Sequence, residues 1–188
     1  EYDAFGRLVS ARTGDTQQLW QYERGYVAKH TRMDASGVHS TDIARDDSGR
    51  VVRVSNGGTS VTYGYDDACQ LVSASTASST HRWSYDPAGR LIEETQDGAT
   101  RAYRYDAAGQ LLSERSSDGR LNEYSYDALG RRTSEKCGED RAILSWDARG
   151  WLSMVTTVTT AGKQSFSLWV DAMGELAQIG EADVWWDS

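Results

Sequence analysis

Proline occurs once in the 188 residues, at Pro87, and cysteine twice, at Cys69 and Cys137. A single proline leaves almost every backbone N–H available to a ladder, which suits a continuous sheet and excludes a proline-rich linker. Two cysteines are too few for a disulfide framework and show no close metal-ligand spacing; whether they pair is left open. The histidines, His30, His39 and His81, form no HxH or HxxxH pair, so no metal or other cofactor is expected. GxSxG, GxGxxG and P-loop glycine patterns are also missing, which removes the usual signals of a nucleophile elbow or a phosphate cradle. The chain therefore reads as a non-enzyme.

Basic residues are outnumbered. Twenty Lys and Arg stand against 28 Asp and Glu, giving a net charge of −8 and a pI near 4.9. A chain-wide attraction to phosphate backbones is excluded, and nucleic acid is not an expected partner. No apolar run approaches the ~20 residues of a membrane-spanning helix, and residues 1–30 lack the apolar core of a signal peptide. The expectation is a soluble segment without a membrane span, with any export signal elsewhere in its polypeptide.

What is present is aromatic. Seven Trp and ten Tyr accompany only two Phe, in a chain whose mean hydropathy is −0.64. Disordered chains lack such rings; thin layers buried mainly on one face can use them. The rings fall into a repeat. An aromatic-Asp-x-x-Gly unit starts at Tyr2, Tyr85, Tyr105, Tyr126 and Trp146, with weaker copies from Arg45, Tyr65 and Val170 and a degenerate one from Gln21. Starts at 65, 85, 105, 126 and 146 are separated by 20, 20, 21 and 20 residues, the regular period of a repeat architecture.

Turn chemistry explains the unit. An aspartate opening a type I turn accepts hydrogen bonds from N–H groups two or three residues on, and a glycine in fourth position tolerates positive φ. Asp3 with Gly6, Asp86 with Gly89, Asp106 with Gly109, Asp127 with Gly130 and Asp147 with Gly150 have that spacing. Calcium loops place oxygen ligands more closely, so these aspartates read as turn caps. Before each turn residues alternate, as in Tyr103 and Tyr105 or Tyr124 and Tyr126, which marks an incoming strand. Afterwards an apolar residue returns, for example Leu91 and Leu111. Half a period later come Asp97-Gly98, Asp118-Gly119, the NGG of residues 56–58 and Ala161-Gly162, which read as two-residue hairpin turns. The pattern predicts an all-β antiparallel meander with about two strands per period, roughly eighteen in all.

At this level of detail the chain resembles the YD-repeat, or rearrangement-hotspot (Rhs), proteins, through "YDxxGRL" followed by "DG" and another Tyr-Asp. The resemblance extends along 1–188. It implies part of a spiralled hollow β-shell, as in bacterial toxin complexes and Rhs effectors of type VI secretion, where repeats enclose a C-terminal toxic polypeptide. It implies as partners other segments of the same shell, the enclosed toxin and a secretion-spike protein, and export from a bacterial cell. A carbohydrate-binding module or a teneurin-like adhesion repeat is the alternative. Copies that depart from the pattern are Cys69 for the turn glycine, Arg45 for the aromatic and Arg132 for the usual leucine. The "DPAG" at 86–89 sits inside the array and reads as a turn, not as a self-cleaving motif. Because the chain starts and stops within repeat-like units, it is expected to be a piece of a larger shell. The adjacent Trp185 and Trp186 must point to opposite faces of a strand and are the best sequence candidate for an interaction surface.

Overall fold

The computed structural model describes residues 1–171, 176–179 and 182–183. Among these, all regular structure is strand. Trp185 and Trp186, and the turn of the Val170 copy at 172–175, lie outside the described residues. The chain divides into two compact units, Glu1–Tyr85 with Glu94–Gly98, and Asp86–Glu93 with Ala99–Ser188.

The first unit contains β1 (Ser10–Thr13), β2 (Thr16–Glu23), β3 (Tyr26–Asp34), β4 (Gly37–Arg45), β5 (Val51–Asn56), β6 (Thr59–Tyr65), β7 (Leu71–Ser75) and β8 (Thr80–Tyr85). Each strand pairs antiparallel with the next. Direct cross-strand partners share a face, so the register sorts side chains that look mixed in sequence. Trp20 opposes His30, Ile43 opposes Val54 and Val54 opposes Val61, while Tyr63 opposes Ala74 and Ala74 opposes His81. The other face is polar: Lys29 opposes Asp42, Asp42 opposes Ser55 and Ser55 opposes Ser60. Rings on the first face touch, with Trp20 and His30 stacked at 5.2 Å and His81 against Trp83 at 4.1 Å.

Residues of β9 (Leu91–Gln96) are shared between the units. The second unit continues with β10 (Ala99–Tyr105), β11 (Leu111–Ser116), β12 (Leu121–Tyr126), β13 (Arg132–Cys137), β14 (Asp140–Trp146), β15 (Leu152–Thr159), β16 (Gly162–Val170), β17 (Leu176–Ile179) and β18 (Ala182–Asp183). These too pair antiparallel in sequence order.

Neither unit has a thick core. Among the described residues only Val170, Ser134 and Thr156 are buried, and no large side chain is fully enclosed. A single layer of sheet has this property, because each face receives at most its own side chains. Its stability rests on ladder hydrogen bonds and cross-strand pairs rather than on an interior.

Two of the expected hairpin turns differ in detail. Gly57-Gly58 and Asp97-Gly98 both have positive φ at each residue, the I′ geometry that matches strand twist. Asp118-Gly119 instead belongs to a longer loop, in which Gly119 N–H reaches Ser116 C=O at 3.0 Å and Asp118 accepts from Arg120 N–H at 2.9 Å. The Asp118 carboxylate and the glycine at φ +91 together stabilise a type I turn with a terminal bulge. At the other, Thr159 pairs with Gly162, so the two-residue loop is Thr160-Ala161 and the glycine closes it. The degenerate copy at Gln21 is also a tight hairpin, with Arg24 (φ 48) and Gly25 (φ 86) between paired Glu23 and Tyr26.

Candidate functional site

The repeated motif forms a turn with four fixed hydrogen bonds. At Asp86 the carboxylate Oδ1 accepts from Ala88 N–H at 2.9 Å and from Arg90 N–H at 3.0 Å. Gly89 N–H donates to Asp86 C=O at 2.9 Å, and Asp86 N–H donates to Arg90 C=O at 2.9 Å. The carboxylate thus takes the N–H groups two and four residues on, while the one between them goes to the aspartate carbonyl. Pro87 occupies the position whose N–H this pattern does not use, and its fixed φ suits it. Asp3, Asp46, Asp127 and Asp147 repeat the two carboxylate bonds. Asp106 does so through Ala108 and Gln110.

The glycine is required by backbone shape. Gly109 and Gly89 have φ of 84° and 80°. In the copy lacking glycine, Cys69 adopts φ 63°, the same left-handed turn with a side chain attached. Its N–H still reaches Asp66 C=O at 3.0 Å, so the turn's geometry overrides the residue's preference.

The residue after the glycine links one repeat to the next. Arg90 donates from Nε to Asp86 Oδ2 at 2.7 Å, and its guanidinium carbon lies 5.1 Å from the centre of the Tyr105 ring. The Tyr105 hydroxyl donates to Leu91 C=O at 2.8 Å. Arginine, aspartate, ring and carbonyl therefore close a clasp across the base of a hairpin. Arg7 over Tyr22, Arg50 over Tyr65 and Arg131 over Trp146 repeat it, at 4.6, 5.0 and 5.8 Å. The rings donate to Leu8, Val51 and Arg132 carbonyls respectively. Where glutamine replaces arginine, at Gln70 and Gln110, the hydroxyl bonds of Tyr85 and Tyr126 persist at 2.8 and 2.9 Å.

A β-bulge precedes five of these rings. Arg104 opposes Ser113, yet Tyr105 opposes Leu111, so Leu112 is the extra residue; the same shift precedes Tyr22, Arg45, Tyr65, Tyr126 and Trp146. Bulges bend and twist a strand locally, which turns the ring back over the preceding turn. At the Arg45 copy the ring comes from another strand: Tyr26 lies 4.9 Å beneath the Arg45 guanidinium, and Arg45 also donates to Gly49 C=O at 3.0 Å.

Electrostatics follow the same groups. The bond from the Arg7 side chain leads the causes holding Asp3 below the usual aspartate range, and Arg50 does the same for Asp46. For Asp86, Asp127 and Asp147 the backbone N–H bonds lead, from Arg90, Arg131 and Trp151. Burial pushes Tyr105 and Tyr124 upward. Asp97 holds a different junction: it accepts Thr80 N–H at 2.7 Å and Ser79 Oγ at 2.8 Å, and its own N–H donates to Thr80 C=O at 3.0 Å.

All ten motif residues picked from sequence, from Asp3 and Gly6 to Asp147 and Gly150, lie in these turns. Sequence reading missed the arginine-to-ring link. Its trace is a fixed interval of 15 residues from Arg7, Arg50, Arg90 and Arg131 to the next clasped ring. The turn carboxylates are spent on N–H groups, and the geometry holds neighbouring strands in register.

The RHS Repeat family profile matches residues 85–121 and 105–142. Residues 85–142 therefore carry RHS repeats. No curated protein sequence matches it. The repeat array has the fold of part of a crystal structure of TcdB2-TccC3-Cdc42, at 18% identity and TM-score 0.74, covering 92% of this chain and 12% of that one. It also resembles the Photorhabdus luminescens Tc holotoxin pore, in a structure carrying a TccC3 mutation, at 16% identity and TM-score 0.68, covering 89% and 12%. The array thus spans about an eighth of the length of these chains.

Proposed function

We propose that this repeat array is a wall segment of a bacterial Rhs-type shell that encloses and delivers a C-terminal toxin, and that the array itself catalyses nothing. The single-layer sheet carries this reading: a wall has two faces and no interior, and among the described residues almost no side chain is completely buried. The motif supports it, since clasps at a period near twenty residues propagate one register through successive hairpins. Support also comes from the RHS repeats and from a fold shared with short stretches of much longer Tc toxin chains. In this reading the partners are further wall segments, an enclosed polypeptide and a delivery component such as a secretion spike, and the assembly is released from the bacterial cell.

Electron cryomicroscopy of the native gene product tests the proposal. A hollow shell with this segment in its wall and density inside is the expected result. A compact particle without a cavity overturns it. A glycan titration that perturbs tryptophan fluorescence would instead favour the carbohydrate-binding reading.

A further inference from the structure

One face of the second unit carries a row of cations that folding does not explain. Arg104 on β10 opposes Ser113, which opposes Glu123 on β12. Glu123 opposes Lys136, Lys136 opposes Arg141, and Arg141 reaches Lys163 on β16 through Val158. Direct partners lie side by side, so this is one continuous line perpendicular to the strands. It crosses six strand spacings, roughly 29 Å at ~4.8 Å each. Arg115 stands beside the line on the same face, opposite Ala102 and Leu121.

Arg104, Arg115, Lys136, Arg141 and Lys163 are all exposed. The one anion in the line, Glu123, is 3.6 Å from Lys136. Among the described residues Arg104, Arg115, Arg141 and Lys163 make no ion pair. Lys136 and Arg141 are like charges in directly opposed positions, an arrangement that costs sheet stability. A chain of net charge −8 has acidic residues in plenty with which to neutralise such a line, yet places a single one there.

We infer that this basic row docks an extended acidic polypeptide segment lying across β10–β16. The row is one residue wide and about 29 Å long, which fits roughly eight or nine residues of extended chain at ~3.4 Å each. Single-stranded nucleic acid would call for aromatic stacking platforms, and the positions between the cations are Ser113, Glu123 and Val158, none of them aromatic. The inference stands on the charge row alone and does not require the shell reading.

The test uses the full 188-residue chain and a fluorescein-labelled twenty-residue glutamate-rich peptide, read by anisotropy. Binding that weakens with salt is expected. The triple variant R104S/R141S/K163S should lose about tenfold in affinity, the sum of three exposed charge contacts. A charge-matched control, R12S/R24S/R82S, should change it little. Glu123→Gln, which removes the anion from the row, should tighten binding and decides the matter if the triple variant does not fold. No binding of the peptide, an equal loss in the control, or unchanged or weaker affinity for Glu123→Gln would overturn the proposal. So would equal or tighter binding of a dT20 oligonucleotide.

Discussion

Arg90 lies with its guanidinium carbon 5.1 Å from the Tyr105 ring centre while bonded to Asp86 at 2.7 Å. One side chain thereby joins the turn that opens a hairpin to the ring that ends it. The clasp has a polar part and a ring part, and the two can be separated by substitution.

Tyr105→Phe keeps the ring under Arg90 and removes the hydroxyl bond to Leu91 C=O. A loss of about 1 kcal/mol in unfolding free energy is expected, the usual net value of such a bond. Urea denaturation of the two proteins measures it. Arg90→Gln should lower the melting temperature by a smaller amount, because Gln110 already occupies the equivalent place without abolishing the Tyr126 bond.

Cys69→Gly should stabilise the chain. Cys69 holds φ 63°, where a side chain costs roughly 1 kcal/mol relative to glycine. The change also gives up the 3.3 Å contact from Arg50 to the Cys69 sulfur, so the net gain falls somewhat below that figure. A raised denaturation midpoint with unchanged slope is the expected observation.

Gly49→Ala should destabilise more than Gly109→Ala. Both glycines have φ near 83°. A Cβ on Gly109 would meet only the tip of Arg90 at 3.9 Å, whereas one on Gly49 would come within 3.0 to 3.3 Å of the Tyr26 hydroxyl and ring. The first variant pays only for the backbone, and the second must also move the ring that lies under Arg45. Parallel thermal melts of the two variants give the order.

Acid should weaken the turns together. Asp3, Asp46, Asp86, Asp127 and Asp147 all sit below the ordinary aspartate value. The unfolded chain therefore binds protons first. The stability these groups contribute is complete above the unfolded pKa of about 3.9 and is lost as pH falls through the lower folded values. Asp127→Asn should reduce stability at pH 7 and flatten its dependence below pH ~4. Melts between pH 7 and pH 2.5 follow both effects.

The meander and its period were legible because the turn residues repeat. Asp and Gly report local backbone needs, and those needs are written at fixed spacing. Which residues share a face was not legible, since register is set between strands and a bulge before five of the clasped rings shifts the alternation. Trp20 with His30, or Lys136 with Arg141, are adjacent only through pairing. The clasp was hidden for a related reason: Arg90 and Tyr105 are 15 residues apart, and nothing local connects them. The hairpin at Asp118 differed from that at Asp97 because its carboxylate bonds Arg120 N–H within a longer loop, a choice the dipeptide alone does not encode.

Limited proteolysis with native mass spectrometry of the natural gene product containing these repeats tests the shell account most directly. The account predicts a large protease-resistant body that includes this array and retains a cleaved, non-covalently held C-terminal polypeptide. A product in which the array is released as a free segment, with no polypeptide retained, would contradict it.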